Sequence, residues 1–182
     1  MKKVAIMALV ALELAASSCG TGTPSTTVTT TTSGNWEAEL TGGIGPASEL
    51  NFVTAFSVTN TNGGSSQALN ITGFGFINAG PCFVSSETES GSASLTTSST
   101  NQVSGSMTYS VTSGTPAGNV LTLTTSPNGG VSGTASGTPG TTGALSNGVV
   151  WGTWTLAGNG SSGCTGSGTF IMCQGTNTCT IP

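Results

Sequence analysis

The chain has 182 residues, which suits one folded domain with appendages, and its composition excludes most kinds of chemistry. Thr, Ser and Gly contribute 34, 26 and 29 residues, charged side chains make up 4%, and there is no His, Arg or Asp. The absence of His excludes His-based catalytic relays and metal sites, and two lysines at the start are too few for a nucleic-acid surface. We expect no enzymatic activity, no cofactor and no nucleic-acid partner.

Residues 1–18 have the pattern of an export signal. Two lysines at positions 2–3 precede an apolar run over residues 4–12, which is too short to span a bilayer. Small residues at 16–18 lead directly into Cys19. This order resembles the lipobox of bacterial lipoproteins, which implies cleavage before Cys19, lipidation of its thiol, and a location at a membrane of the bacterial cell envelope. The same small residues also fit an ordinary cleavage site, which would release a secreted chain.

Residues 19–34 are predicted to form a flexible tether, because a tract so rich in Thr, Ser and Gly has little apolar surface to bury. A single all-β domain is predicted over residues 35–182. Clear alternation of apolar and polar residues, which is typical of half-buried strands, occurs in segments 36–40, 50–59, 103–111, 121–124, 150–156 and 170–172. Weaker candidates for strands are 67–77, 82–89, 91–98 and 130–137.

Short turns join these candidates without an intervening helix, which predicts an antiparallel meander of about 8–10 strands. A meander can close into a small barrel, and a β-sandwich is the alternative. Two Trp motifs, at 34–36 and 152–156, together with segments 82–83 and 164–170, resemble uncharacterised Ser/Thr-rich bacterial lipoproteins and, less closely, calycin-like barrels. The second resemblance implies an interior that binds a small apolar ligand or lipid. Phe52, Phe56, Tyr109, Trp154 and Phe170 would either line such a cavity or simply fill the interior.

Five cysteines also agree with lipidation, because lipid on Cys19 leaves four thiols for two disulfides in an oxidising compartment. The spacing favours a small terminal loop closed by Cys173 and Cys179, which leaves Cys82 with Cys164. The residues alone allow three pairings. None of the cysteines form the close C-x-x-C pairs that a zinc site needs.

Two acidic pairs, Glu37/Glu39 and Glu87/Glu89, have the spacing that places both carboxylates on one face of a strand. Such pairs can serve acid–base catalysis or an ion site, but we expect them on solvated faces. Trp154 is expected in the core, and Trp151, of opposite parity, at the surface or rim.

Taken together, these features indicate a non-enzymatic lipoprotein of the cell envelope with a structural or surface-interaction role. A lipid anchor would hold it to a membrane, and its partner would be an envelope polymer. The alternative function is a calycin-like barrel that binds a small apolar ligand or lipid.

Overall fold

The computed structural model describes residues 28–31, 36–43, 47, 50–60, 67–83, 85–115, 118–135, 142–143, 145–158 and 163–174. Nearly all of the secondary structure in these ranges is β-strand, with short 3-10 turns that include Gly80–Cys82. No helix in these ranges is long and apolar enough to cross a membrane. The prediction of an all-β, antiparallel fold is confirmed.

The described residues form eleven strands. They are β1 (Val28–Thr31), β2 (Trp36–Thr41), β3 (Asn51–Asn60), β4 (Gln67–Asn78), β5 (Ser85–Thr97), β6 (Gln102–Thr115), β7 (Val120–Thr124), β8 (Gly130–Ala135), β9 (Thr142–Gly143), β10 (Leu145–Ala157) and β11 (Gly166–Gln174).

The sequence predicted most of these strands, and the structure differs at three places, one of which is the unpredicted β9. Segments 82–89 and 91–98 belong to one long strand, β5, because Gly91 continues the ladder opposite Tyr109 instead of making a turn. Residues 82–83 lie before that strand, in the connection from β4. Within the predicted tether, Val28–Thr31 form β1 and pair with β3.

The strands pair mainly with their neighbours in sequence, as expected for a meander. β7 and β8 both pair with β10, at successive segments of that strand. In the same way, β1 and β2 both pair with β3 at successive segments. β2 pairs with both β3 and β11.

Alternate side chains along the strands lie on one face of the sheet, and these side chains form the core. The buried set includes Phe52 from β3, Tyr109 from β6 and Trp154 from β10, and all three are almost completely inaccessible to solvent. The opposite faces carry mainly Thr, Ser and Gly. Packing of large apolar side chains supplies the main stabilisation of this fold.

At one end of the strands a disulfide joins two loops. Cys82, after β4, is bonded to Cys164, before β11, as the cysteine spacing predicted. The Cys82 carbonyl also accepts a hydrogen bond of 2.9 Å from the buried Asn119 side chain, which precedes β7. Three loops are therefore held together at this end.

The pairing between β4 and β5 is much shorter than any other pairing of long neighbouring strands. It consists of Gln67 opposite Ala93 and Ala68 opposite Ser92. The Leu69 side chain packs over Gly91, where an added Cβ would lie 2.5 Å from Leu69 Cδ1. Beyond this contact residues 69–78 and 85–91 are not paired with each other. We call this stretch the β4–β5 gap.

Candidate functional site at the β4–β5 gap

The five side chains predicted to line a ligand pocket are all buried, with exposures of 4% or less. Phe52 and Phe56 contact the Tyr109 ring, with centroids 5.6 and 6.5 Å away. Among the described residues, Trp154 and Phe170 make no ring contact with these three. Trp154 instead donates from Nε1 to the Thr41 carbonyl at 3.0 Å. These five residues therefore pack as parts of the core.

Tyr109 crosses the interior beneath the β4–β5 gap. Thr54 on β3 donates from Oγ1 to the Gly73 carbonyl at 3.1 Å, so its oxygen is left to accept from the Tyr109 hydroxyl at 2.8 Å. This pair of hydrogen bonds connects β6, β3 and β4. Burial raises the pKa of Tyr109, and the negative charge of Glu89 adds to that shift.

Phenylalanine rings form the β4 side of the gap. Phe74 and Phe76 lie opposite Thr54 and Phe52, which are buried, so both point inward, yet both are only half-buried. Their rings meet edge to face with centroids 5.0 Å apart. Phe76 also contacts Phe83 at 4.8 Å, in the loop that the disulfide holds. Sequence reasoning missed both rings of β4, although their alternate spacing was visible.

Two carboxylates form the β5 side. Glu87 and Glu89 lie opposite Ser113 and Val111, which are buried, and on the same face as Leu95. The expectation of a solvated outer face is therefore wrong for this pair, whose side chains point inward and are half-buried. Glu87, Glu89 and Leu95 are all odd-numbered, so they lie on one face of the strand. This spacing was the sequence signal that could have identified the inward-facing pair.

The surroundings of Glu89 raise the pKa of its carboxyl group. Burial is the main cause of the raised pKa of Glu89; a hydrogen bond from its own backbone opposes the shift, and the negative charge of Glu87 adds to it. Glu89 in turn acts on Tyr109, whose ring contacts Phe74 with centroids 6.5 Å apart. Tyr109 therefore interacts both with Glu89 and with the Phe74 ring.

Ser113 contributes a buried hydroxyl. It is 4% exposed, and its Oγ has no hydrogen-bond partner among the residues that the structure describes. Because it is the cross-strand partner of Glu87, both side chains are on the same face of the β5–β6 ladder. A buried hydroxyl without a partner is unfavourable, and such groups often serve a ligand or water.

The remaining candidates do not join this site. Glu37 and Glu39 are exposed on the outer face of β2, as predicted. Trp154 is in the core, also as predicted, and the half-buried Trp151 lies over Gly130, where an added Cβ would be 3.1 Å from its ring. Within the described ranges no three acidic or cysteine side chains cluster as metal ligands.

Two predicted sites fall partly or wholly outside the described residues. Cys19, the expected lipidation site, and Cys179 both lie there. Cys173 is described, buried and disulfide-bonded, and the pairing Cys173–Cys179 stays a prediction.

Comparison with known proteins gives no family to which this site can be referred. The chain matches no family model, no curated protein and no solved structure.

Proposed function

We propose that this chain is a non-enzymatic lipoprotein of the bacterial cell envelope, held to a membrane by lipid on Cys19, with a structural or surface-interaction role for its β domain. The observation that carries the proposal is the contrast between the two faces of the strands. Large apolar side chains fill the inner face, and hydroxyl groups and glycines dominate the outer face. Such a surface is suited to weak contacts with neutral envelope polymers.

The chemistry of the chain supports a role without catalysis. His is absent, and the lysines lie at positions 2 and 3. Cys82, Cys164 and Cys173 are held in disulfides, so their thiols are not nucleophiles. Proton transfer near neutral pH would rest on glutamates alone, which supports display or binding over turnover.

The packing favours this role over the calycin-like alternative. Binding inside the strands would require Phe52, Phe56, Tyr109, Trp154 and Phe170 to line a space. Each is instead buried against its neighbours, and Tyr109 and Trp154 have their polar atoms hydrogen-bonded within the protein. Replacing such contacts with a ligand would require breaking them.

The anchor can be tested by expressing the full chain in a bacterium and labelling it with a radioactive fatty acid. We expect label on the wild-type protein and none on Cys19→Ser, which should be released or remain unprocessed. The matched control, Ser18→Ala, preserves a small residue before the cysteine and should be labelled. A labelled Cys19→Ser protein, or a wild type that stays in the aqueous phase on detergent partitioning, would contradict the anchor.

The absence of catalysis has its own assay. The purified chain should give no turnover of glycan, peptide or ester panels. Turnover that is lost in Glu87→Gln/Glu89→Gln but kept in Glu37→Gln/Glu39→Gln would show instead that the inward pair is catalytic.

A further inference from the structure

We propose that the β4–β5 gap binds a small molecule that carries a primary ammonium group on an apolar body. Glu87, Glu89 and Ser113 would hold the ammonium, and Phe74 and Phe76 would contact the body. This inference goes beyond the proposed envelope role and does not depend on the lipid anchor.

Solvent reaches inward-facing side chains at this place. Their partners across the neighbouring ladders are closed to solvent: Phe52, opposite Phe76, and Val111, opposite Glu89, are both 0% exposed. Phe76 and Glu89 point to the same interior but are only half-buried. The missing pairing between β4 and β5 explains this difference, because the wall is not continuous there. A ligand can therefore reach these groups without opening the core.

The two carboxylates of the site favour a positively charged ligand. Two carboxylates lie two positions apart on one strand, about 7 Å along the chain, with no Lys or Arg anywhere in the described residues to balance them. An ionised carboxylate only accepts hydrogen bonds, so a complementary ligand must bring donors. A charged donor gives shorter and stronger hydrogen bonds than a neutral one.

Ser113 indicates how many hydrogen-bond donors the ligand carries. Its buried, unpartnered Oγ lies across from Glu87 and offers a third acceptor beside the two carboxylates. A primary ammonium has three N–H donors, which matches this number. A quaternary ammonium has none, so it would leave all three acceptors without a partner.

The rings on the β4 side favour an apolar body next to the charge. Phe74 and Phe76 are half-exposed and perpendicular, so one presents a face where the other presents an edge. Aromatic faces attract cations and also bind aromatic groups. An arylalkyl amine combines both properties.

The test is calorimetric titration of the purified full chain, in nonionic detergent, with three probes that share a benzyl group. Benzylammonium carries charge and donors, benzyltrimethylammonium carries charge without N–H donors, and benzyl alcohol carries neither the charge nor the three donors. We expect saturable binding of benzylammonium, with at least about tenfold weaker binding of the other two.

Variants locate the binding in the gap. Glu87→Gln/Glu89→Gln should weaken benzylammonium binding at least about tenfold, and Glu37→Gln/Glu39→Gln, the same spacing on an outer face, should not. Ser113→Ala should weaken binding several-fold without lowering the unfolding temperature, because its hydroxyl has no partner to lose. This variant keeps the test valid if the double variant fails to fold.

Three results would overturn the proposal. Benzyl alcohol binding as tightly as benzylammonium would show an apolar site, and equal losses from both glutamate pairs would show a general effect of charge. The third is the absence of saturable benzylammonium binding at millimolar concentrations.

Discussion

The Tyr109 hydroxyl links strands on both sides of the gap. It bonds to Thr54 Oγ1 at 2.8 Å, and Thr54 bonds onward to Gly73. Tyr109→Phe removes one buried hydrogen bond but keeps the ring and its contacts. We expect the free energy of unfolding to fall by about 1 kcal/mol in urea titrations.

A double-mutant cycle with Thr54→Val assigns that loss. If the hydroxyl pair is the cause, the two changes together should cost less than the sum of the single changes. Strict additivity would mean that the hydroxyls do not interact.

Glu89 makes the stability of the protein depend on pH. The folded-state pKa of Glu89 is raised above its ordinary value of 4.5, so protonation favours the folded state. This contribution to stability is lost as the pH rises through the folded-state pKa. Glu89→Gln removes the buried charge. We expect the variant to be more stable than wild type at pH 7, by less than about 1 kcal/mol because the group is partly solvated, and the difference to vanish near pH 4.

The comparison for this prediction is Glu37→Gln, on the exposed face of β2. Thermal unfolding at several pH values should show little change for it. A stability gain for Glu89→Gln that is the same at pH 4 and pH 7 would contradict a titrating cause.

The close approach of β2, β10 and β11 depends on Gly168. A Cβ at Gly168 would lie 1.9 Å from the Thr41 carbonyl oxygen and 2.7 Å from Trp154 Nε1, the two atoms that share a hydrogen bond. We expect Gly168→Ala to lower the free energy of unfolding by about 2–3 kcal/mol in urea, since backbone atoms must move and the bond is strained.

Gly75 on β4 is the matched control, because an added Cβ there meets nothing within 4 Å. Gly75→Ala should leave stability unchanged or slightly raised. Similar losses at both glycines would show that strand propensity, and not the close approach, sets the cost.

Alternation was enough to predict the strands that border the core on one side and solvent on the other. Trp36, Ala38 and Leu40 in β2 show a strict period of two and are buried as expected. β1 has no such signal, because it is a short strand of Val and Thr whose partner, β3, lies about thirty residues away. Local pattern cannot report a pairing of that kind.

The candidate site was only half visible in the sequence. The acidic pair Glu87/Glu89 stood out, but its neighbours are small and polar, so the inner face of β5 was not obvious. Ser113 and the missing β4–β5 pairing were not visible at all, because both depend on which strands lie side by side. Register between strands is a tertiary property, set by the packing of the whole core.

For the whole molecule, the Cys82–Cys164 disulfide is the main covalent constraint described. It closes a loop across a sequence separation of 82 residues. In the chain-entropy model such a loop stabilises the folded state by about 4–5 kcal/mol. Cys82→Ala/Cys164→Ala should lose stability of this order in urea titrations under oxidising conditions, with the Cys173 disulfide left in place.

If the free energy of unfolding of this double variant falls by less than about 1 kcal/mol, the Asn119 hydrogen bond and loop packing hold this end without the covalent bond. Peptide mapping of the wild type should find Cys82 and Cys164 linked.

The same disulfide also decides how the protein responds to mechanical force. β5 through β10 lie between the two cysteines, and β2 through β4 and β11 lie outside them. A pull applied at the chain ends passes through the disulfide, so the enclosed strands bear no tension even when the outer strands have been stripped away. About 280 Å of chain length stays hidden from extension while the bond is intact. Under such a pull the protein would lengthen only through the strands outside the disulfide.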